Sequence, residues 1–358
     1  MVSAGKRVKR MEGSEIIPVE IQEVMQQYML HVHYVENFGR IYKVYTDQGL
    51  YALKSIKPEH RMDFIRTVQR LYQRGYNRMV PIYVTHDGRY GVLHNNRLYY
   101  LMPWISNEET GERNEKHKQM FRELARIHSM TMKSIDVEKE ERELHYDKTI
   151  ENWNRQKDFL DEFVQLSEKK WYMSPFELMF CSYYYDISQA LSFALKKFEG
   201  WYDKTKDEEK ARTAVTHGKV SVQHFLLDER GFGYFINFEN ARNAPQHFDL
   251  LPFFVKYNNT YPIRCDECVE WLYHYLRYCP MQEDELMLFT SYLAYPAHIL
   301  NTVETYHEKK YELKNEYQYV TQLQKNYWQL KNIEYLVMKI EETEAAKKAA
   351  QQEASAEQ

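Results

Sequence analysis

The chain has 358 residues, 44% hydrophobic and 28% charged, with 48 basic side chains against 52 acidic ones for a formal net charge of -4. That length and balance suit a folded protein with substantial cores and exclude a disordered one. The near-neutral charge offers no field for nucleic acid, and the longest apolar region, around Met287 to Leu300, is interrupted by Pro296 and His298 and too short to span a bilayer.

Met1 to Arg10 is basic, but no apolar run of the kind a secretory signal needs follows it, so synthesis and retention in a cytoplasm are expected. Ile41–Thr46, a turn at Asp47-Gln48-Gly49, and Leu50–Ile56 predict a β-hairpin. A helix is expected over Asp63–Arg74, stopped by Gly75. Further strands are expected at Val80–Val84, Tyr90–Leu93 and Leu98–Met102, with turns at His86-Asp87-Gly88 and His94-Asn95-Asn96. Five strands and one helix thus make a β-rich domain over residues 1–103, closed by Pro103-Trp104.

After an acidic linker, Ser106–Glu115, the pattern turns helical. Phe121, Leu124 and Ile127, spaced i, i+3, i+6, predict one buried face. Amphipathic segments follow at Lys148–Lys169 and Pro175–Tyr202, with more helix over Asp249–Tyr278 and Glu283–Ile340. The helical domain is taken as 104–300, with an extension over 301–340. There Leu313, Tyr317, Val320, Leu323, Tyr327, Leu330 and Val337 recur at spacings of three, four or seven. One helix packed along the helical domain is the reading, a coiled coil its alternative. No apolar face remains from Glu341 on, and 341–358 is expected to be a frayed, solvated tail.

Cys265-Asp266-Glu267-Cys268 has metal-like spacing but no second pair, so a helical segment with two thiols is preferred to a zinc site. His31-Val32-His33 lacks a third ligand and reads as a strand edge. No GxSxG, HExxH or Ser/His/Asp order suggests hydrolysis. Tyrosine is in excess, at 31 residues.

The most informative stretch is His217-Gly218-Lys219-Val220-Ser221-Val222-Gln223-His224, followed by Asn237-Phe238-Glu239 and then Pro245-Gln246-His247-Phe248-Asp249-Leu250. The layout resembles the HGDxxxxN…(I/V)DF signature of the aminoglycoside phosphotransferase and choline kinase branch of the kinase-like fold. Ala52-Leu53-Lys54 matches that fold's third-strand AxK. There a small residue leaves room for adenine and the lysine, on the same strand face, reaches phosphate. The resemblance implies an α+β, bilobal, protein-kinase-like fold with a β-rich N-lobe, a helical C-lobe and a long C-terminal helix.

The resemblance also assigns roles, which this chain's residues do not fill. Lys219 stands where the base should be, and a protonated lysine cannot accept a hydroxyl proton. His224 replaces a metal-binding Asn, although magnesium prefers oxygen ligands. Asn237 replaces a chelating Asp. No acidic residue in Phe64–Gly75 is present to pair with Lys54, and the phosphate loop, Glu36-Asn37-Phe38-Gly39-Arg40, carries one glycine. No catalytic residue and no metal ligand is therefore expected at His217, Lys219, His224 and Asn237. Lys54, Ala52 and Glu239 are the candidates for a residual ATP/Mg²⁺ site. For Glu239 a structural ion pair with a lysine is the preferred reading. Asp249 matches a residue that braces the catalytic-loop backbone.

Within that branch the chain resembles spore-coat proteins of endospore-forming bacteria, of the CotS and YsxE type. The resemblance rests on Gly39-Arg40-Ile41-Tyr42-Lys43-Val44 with Thr46–Lys54, on Leu124-Ala125-Arg126-Ile127-His128, on Pro245–Leu250 and on Tyr292-Leu293-Ala294-Tyr295-Pro296. It implies a pseudokinase made in the mother-cell cytoplasm during sporulation and deposited in the spore coat. Its partners would be other coat proteins, with no nucleic acid and no membrane span. The alternative is an active, atypical, ATP-dependent phosphotransferase acting on a coat protein or small molecule.

Overall fold

A computed structural model describes residues 17–60, 63–107, 113–259, 265–309 and 316–356. Its elements begin with α1 (Val19–Gln26), β1 (Val32–Asn37), β2 (Ile41–Thr46), β3 (Gly49–Ile56), α2 (Asp63–Gln73), β4 (Val92–His94) and β5 (Arg97–Pro103). Then come α3 (Arg113–Thr131), β6 (Lys133–Asp136), α4 (Lys139–Glu168), α5 (Pro175–Thr205), β7 (Lys210–Thr216), β8 (Phe225–Leu227), β9 (Gly233–Phe235) and β10 (Arg242–Ala244). Five helices complete the chain: α6 (His247–Tyr257), α7 (Asp266–Tyr278), α8 (Glu283–Ala294), α9 (Ala297–Lys309) and α10 (Glu316–Ala356). These fall into two compact units. One holds the described residues up to 107 together with 226–240, the other 113–225 together with 241–356.

The first unit is built on an antiparallel sheet in the order β1-β2-β3-β5-β4. The two-residue period sends Val44, Leu53, Tyr99 and Leu101 into a core with Ile21, Val24 and Met25 of α1. Two expectations change here. Val80–Val84 is not a strand: Pro81 has no N–H for a ladder, and the stretch makes separate bonds from Val80 N to Phe235 O and from Tyr83 N to Leu101 O. The fifth strand is instead β1, with His31 and His33 at the sheet edge, their rings 5.1 Å apart. The pattern reading does not anticipate α1, and of β1 it anticipates only the strand edge at His31-Val32-His33.

The second unit is mainly helical. Met120, Phe121, Leu124, Ala125 and Ile127 of α3 are fully buried, as the i, i+3, i+6 spacing requires. The long α4 and α5 share a core with α9 and α10 through Phe163, Phe176, Phe180, Val303 and Leu323. Ser174 starts α5 with a capping box: its hydroxyl accepts from Glu177 N (3.2 Å) while the Glu177 carboxylate accepts from Ser174 N (3.0 Å). Replacing Ser174 with alanine is expected to cost about 1 kcal/mol in urea unfolding; an unchanged midpoint would show the cap to be dispensable.

The heptad-like stripe of α10 is spent within the chain. Leu323, Leu330, Leu336, Val337 and Ile340 are buried. Three amides beside them fix the register: Asn326 Nδ2 donates to His298 O (2.9 Å), Gln329 Nε2 to Val255 O (2.6 Å) and Asn332 Nδ2 to Asn258 O (3.1 Å). Leu313 lies outside the described residues. Beyond Ile340 the helix continues to Ala356, with exposed side chains from Ala345 to Ser355, sustained by good helix formers and pairs such as Lys347–Glu344. No helix of the described residues is long and apolar enough to cross a membrane. Cys265 and Cys268 sit at the start of α7 as buried free thiols, and no group of three or more metal-ligating side chains occurs among the described residues.

Candidate functional site

The motif positions divide between the units: Ala52, Lys54, Asn237 and Glu239 lie in the first, His217, Lys219 and His224 in the second. In the first, β3 places Ala52 and Lys54 on one face, with Lys54 opposite Tyr100 of β5. Asn237 follows β9 with φ 69°, a left-handed conformation that Asn tolerates better than most residues, and leads into a short 3-10 turn over Phe238–Asn240. Buried Phe235 and Phe238 anchor this segment.

These elements converge on one ammonium. Lys54 Nζ donates to Asn237 Oδ1 (2.5 Å) and forms an ion pair with Glu239, whose carboxylate also accepts from the Tyr100 hydroxyl. The Lys54 and Glu239 side chains are only 11% and 10% exposed. Burial pushes the Glu239 carboxyl up, but the charge and hydrogen bond of Lys54 and the Tyr100 hydroxyl outweigh it and hold Glu239 below the usual range. Burial, then the Glu239 charge, push the Tyr100 phenol well above its ordinary value.

The chemical consequence is competition. Asn237 Oδ1 and Glu239 Oε1 are the oxygens that could hold a divalent cation here, and both already face an ammonium. A phosphate would have to draw Lys54 away from a nearly buried carboxylate. The β1–β2 loop adds little: Gly39 has φ 86°, but its amide is taken by Asn37 Oδ1 at 2.7 Å. Phe38 at the tip of that loop stacks on Trp104 with ring centroids 5.9 Å apart.

In the second unit, β7 delivers the chain into a turn at Gly218, where φ is 75°. The buried Asp249 carboxylate accepts from both loop amides, His217 N (2.6 Å, to Oδ2) and Gly218 N (2.7 Å, to Oδ1). His128 Nε2 lies 3.0 Å from Asp249 Oδ2, and its Nδ1 lies 2.7 Å from the Tyr275 hydroxyl, which donates to Gln246. Burial pushes the Asp249 carboxyl up, but His128, His217 and the loop amide hold it below the usual range. His217 is fully buried and its Nδ1 accepts from Lys219 N at 3.2 Å. His224 Nδ1 lies 2.8 Å from Lys219 O, so this imidazole closes the loop's backbone. The Lys219 side chain is exposed and, among the described residues, makes no hydrogen bond or ion pair.

Sequence reasoning proposed Glu239 as a candidate without identifying the lysine it serves, and it missed Tyr100. The separations from Lys54 to Asn237 and Glu239, 183 and 185 residues, leave no local periodicity to read.

No protein-family model matches the chain, and no curated protein is similar to it in sequence. Among solved structures, an aminoglycoside phosphotransferase from Alicyclobacillus acidocaldarius is similar with TM-score 0.66 and 17% identity, covering 94% of this chain and 99% of that one. A spectinomycin phosphotransferase in its AMP-bound complex is similar with TM-score 0.52 and 12% identity, covering 89% of this chain and 98% of that one. The chain thus has the kinase-like fold of the aminoglycoside phosphotransferases, with a β-sheet N-terminal part and a helical C-terminal part. At these identities the likeness is one of fold, and the chemistry has to be argued from the site.

Proposed function

We propose that this chain is a kinase-fold protein without phosphoryl transfer, an interaction module of the bacterial spore coat. The observation that carries the first half is Lys54, the phosphate-reaching lysine of the fold, held by Glu239 and Asn237 with its partner carboxylate nearly buried. The ammonium of Lys219 at the base position supports the same reading, since it has no free pair to accept a proton. The coat assignment rests on the sequence resemblance over Thr46–Lys54, Leu124–His128 and Pro245–Leu250. It carries synthesis in the mother cell, deposition in the coat and other coat proteins as partners.

Isothermal titration of the full chain with ATP, with and without Mg²⁺ or Mn²⁺, tests the first half. No binding is expected up to about 1 mM nucleotide; metal-dependent binding with Kd near 1 μM would overturn the proposal. Fractionation of sporulating cells of the source organism, followed with an antibody to the chain, tests the second. Recovery in the coat fraction is expected, and confinement to the soluble fraction would sink the coat assignment.

A second reading has one observation in its favour. Glu239 is held ionised beside Asn237, so an acidic oxygen survives where a metal-nucleotide would sit. That reading is an atypical phosphotransferase using Lys54 and Glu239, and it predicts phosphate transfer lost in Glu239→Gln.

A further inference from the structure

The second unit contains a cavity of about 650 Å³ at the Lys210 end of β7, the end away from the His217 turn. A ligand site of this kind typically spans about 300–1,000 Å³. The N-terminal part of α4, the C-terminal part of α5, the first turns of α8, and Pro245 and His247 at the start of α6 line it. Ala52, Lys54, Lys219, His224, Asn237 and Glu239 are not among its lining residues; Pro245 and His247 are its link to the segment that carries Asp249.

Its charges do not all cancel among themselves. Arg212 and Glu285 form a closed bidentate pair, with Arg212 Nε 2.9 Å from Glu285 Oε1. Arg142 is different. It is only 7% exposed, one of its amino groups donates to the Thr205 carbonyl, and among the described residues no carboxylate pairs with it. A buried guanidinium carries five N–H donors, and one carbonyl leaves most of that fork for an anion. Asp284 is the counterpart. Half-buried on α8, it has no ion-pair partner among the described residues, and burial followed by the neighbouring Glu285 pushes its carboxyl up.

A third group is unspent. His247 is 8% exposed, stacks between Phe248 and Tyr292, and makes no hydrogen bond among the described residues. Burial lowers its pKa to about 4, aided by His145 and opposed by Glu285, so the imidazole is neutral at pH 7 and keeps one donor and one acceptor. Trp201 and Leu288 supply an apolar wall beside these polar groups.

We propose that this cavity is a binding site for a small zwitterion of the amino-acid class. Its carboxylate would lie on Arg142, its ammonium on Asp284, and its side chain against Trp201 and Leu288 with His247 as a hydrogen-bonding neighbour. The site uses neither Lys54 nor Glu239 nor Lys219, so it stands whether or not the chain transfers phosphate.

The test is calorimetric titration of the full chain with each of the common L-amino acids at up to about 10 mM, repeated with Arg142→Gln and Asp284→Asn. At least one amino acid is expected to bind in the micromolar to low-millimolar range. Asp284→Asn should weaken it about tenfold or more, and the same acid lacking its amino group should bind more weakly to the parent. Arg142→Gln removes a buried group that also holds the Thr205 carbonyl, so the half-buried Asp284 variant carries the test if Arg142→Gln does not fold. No binding by any amino acid overturns the proposal. Binding indifferent to Asp284→Asn, or equally tight binding of the amine-free acid, overturns it as well.

Discussion

Replacing Asp249 with alanine is expected to destabilise the protein by about 4 kcal/mol, and urea unfolding followed by circular dichroism measures it. The carboxylate is 2% exposed and serves three donors, His217 N, Gly218 N and His128 Nε2. Alanine leaves the buried His217 N and His128 Nε2 without this acceptor, and the part-buried Gly218 N as well. Each orphaned buried donor costs about 1–3 kcal/mol, so the loss of these hydrogen bonds together accounts for the expected effect. Asp249→Asn keeps the shape but turns an amide nitrogen toward donors, so it should cost less than alanine and still clearly more than a surface change.

The same residue sets an acid limit. Its folded pKa is held below the unfolded value of about 3.9, so its contribution is fully present above that pH and is lost as pH falls through the folded value. The parent should therefore lose stability below about pH 4 more steeply than Asp249→Asn. Parallel acid limbs in the two proteins, or an Asp249→Ala midpoint close to the parent's, would remove the brace from the account.

The second large effect is expected at Lys54. Lys54→Met strands the Glu239 carboxylate, 10% exposed, with the Tyr100 hydroxyl and its own backbone amide as donors but no counter-charge, and should cost about 3 kcal/mol. Adding Glu239→Gln removes the stranded charge while keeping an acceptor for Tyr100, so the double variant should regain much of the loss. The cycle parent, Lys54→Met, Glu239→Gln and double gives the coupling directly. A coupling near zero would mean that the two residues are not bound to each other in solution, leaving Lys54 available for phosphate. A coupling of about 2 kcal/mol or more makes the pair part of the fold.

How much of this was legible in the sequence depends on the distance over which each signal acts. The β2–β3 hairpin and the buried face of α3 are written in local periodicity, and the structure has both. The Asp249 brace could be named because the order of His217-Gly218 and Asp249 resembles a known layout. Val80–Val84 has strand composition, yet Pro81 leaves it without a ladder. The α10 tail lacks an apolar face, which hides it from a periodicity argument, yet its alanines, glutamates and lysines suffice to continue a helix already begun. The grouping of Lys54, Tyr100, Asn237 and Glu239 is tertiary. No window of sequence contains it.

The two units are interleaved along the chain, and this bears on how the protein is made. The first ends its sheet at Pro103 but takes buried Phe235 and Phe238 from the 226–240 segment. The second gains Leu323, Leu330 and Ile340 only when α10 arrives, and Phe163, Phe176 and Phe180 belong to a core that α10 completes. A ribosome releases the chain from its N-terminus, so the core of Val44, Leu53, Tyr99 and Leu101 is available once β5 is made, whereas the core shared by α4 and α5 waits for α10. The apolar faces of α4 and α5 therefore stay uncovered until the last helix is translated, the interval in which such a chain is most exposed to aggregation.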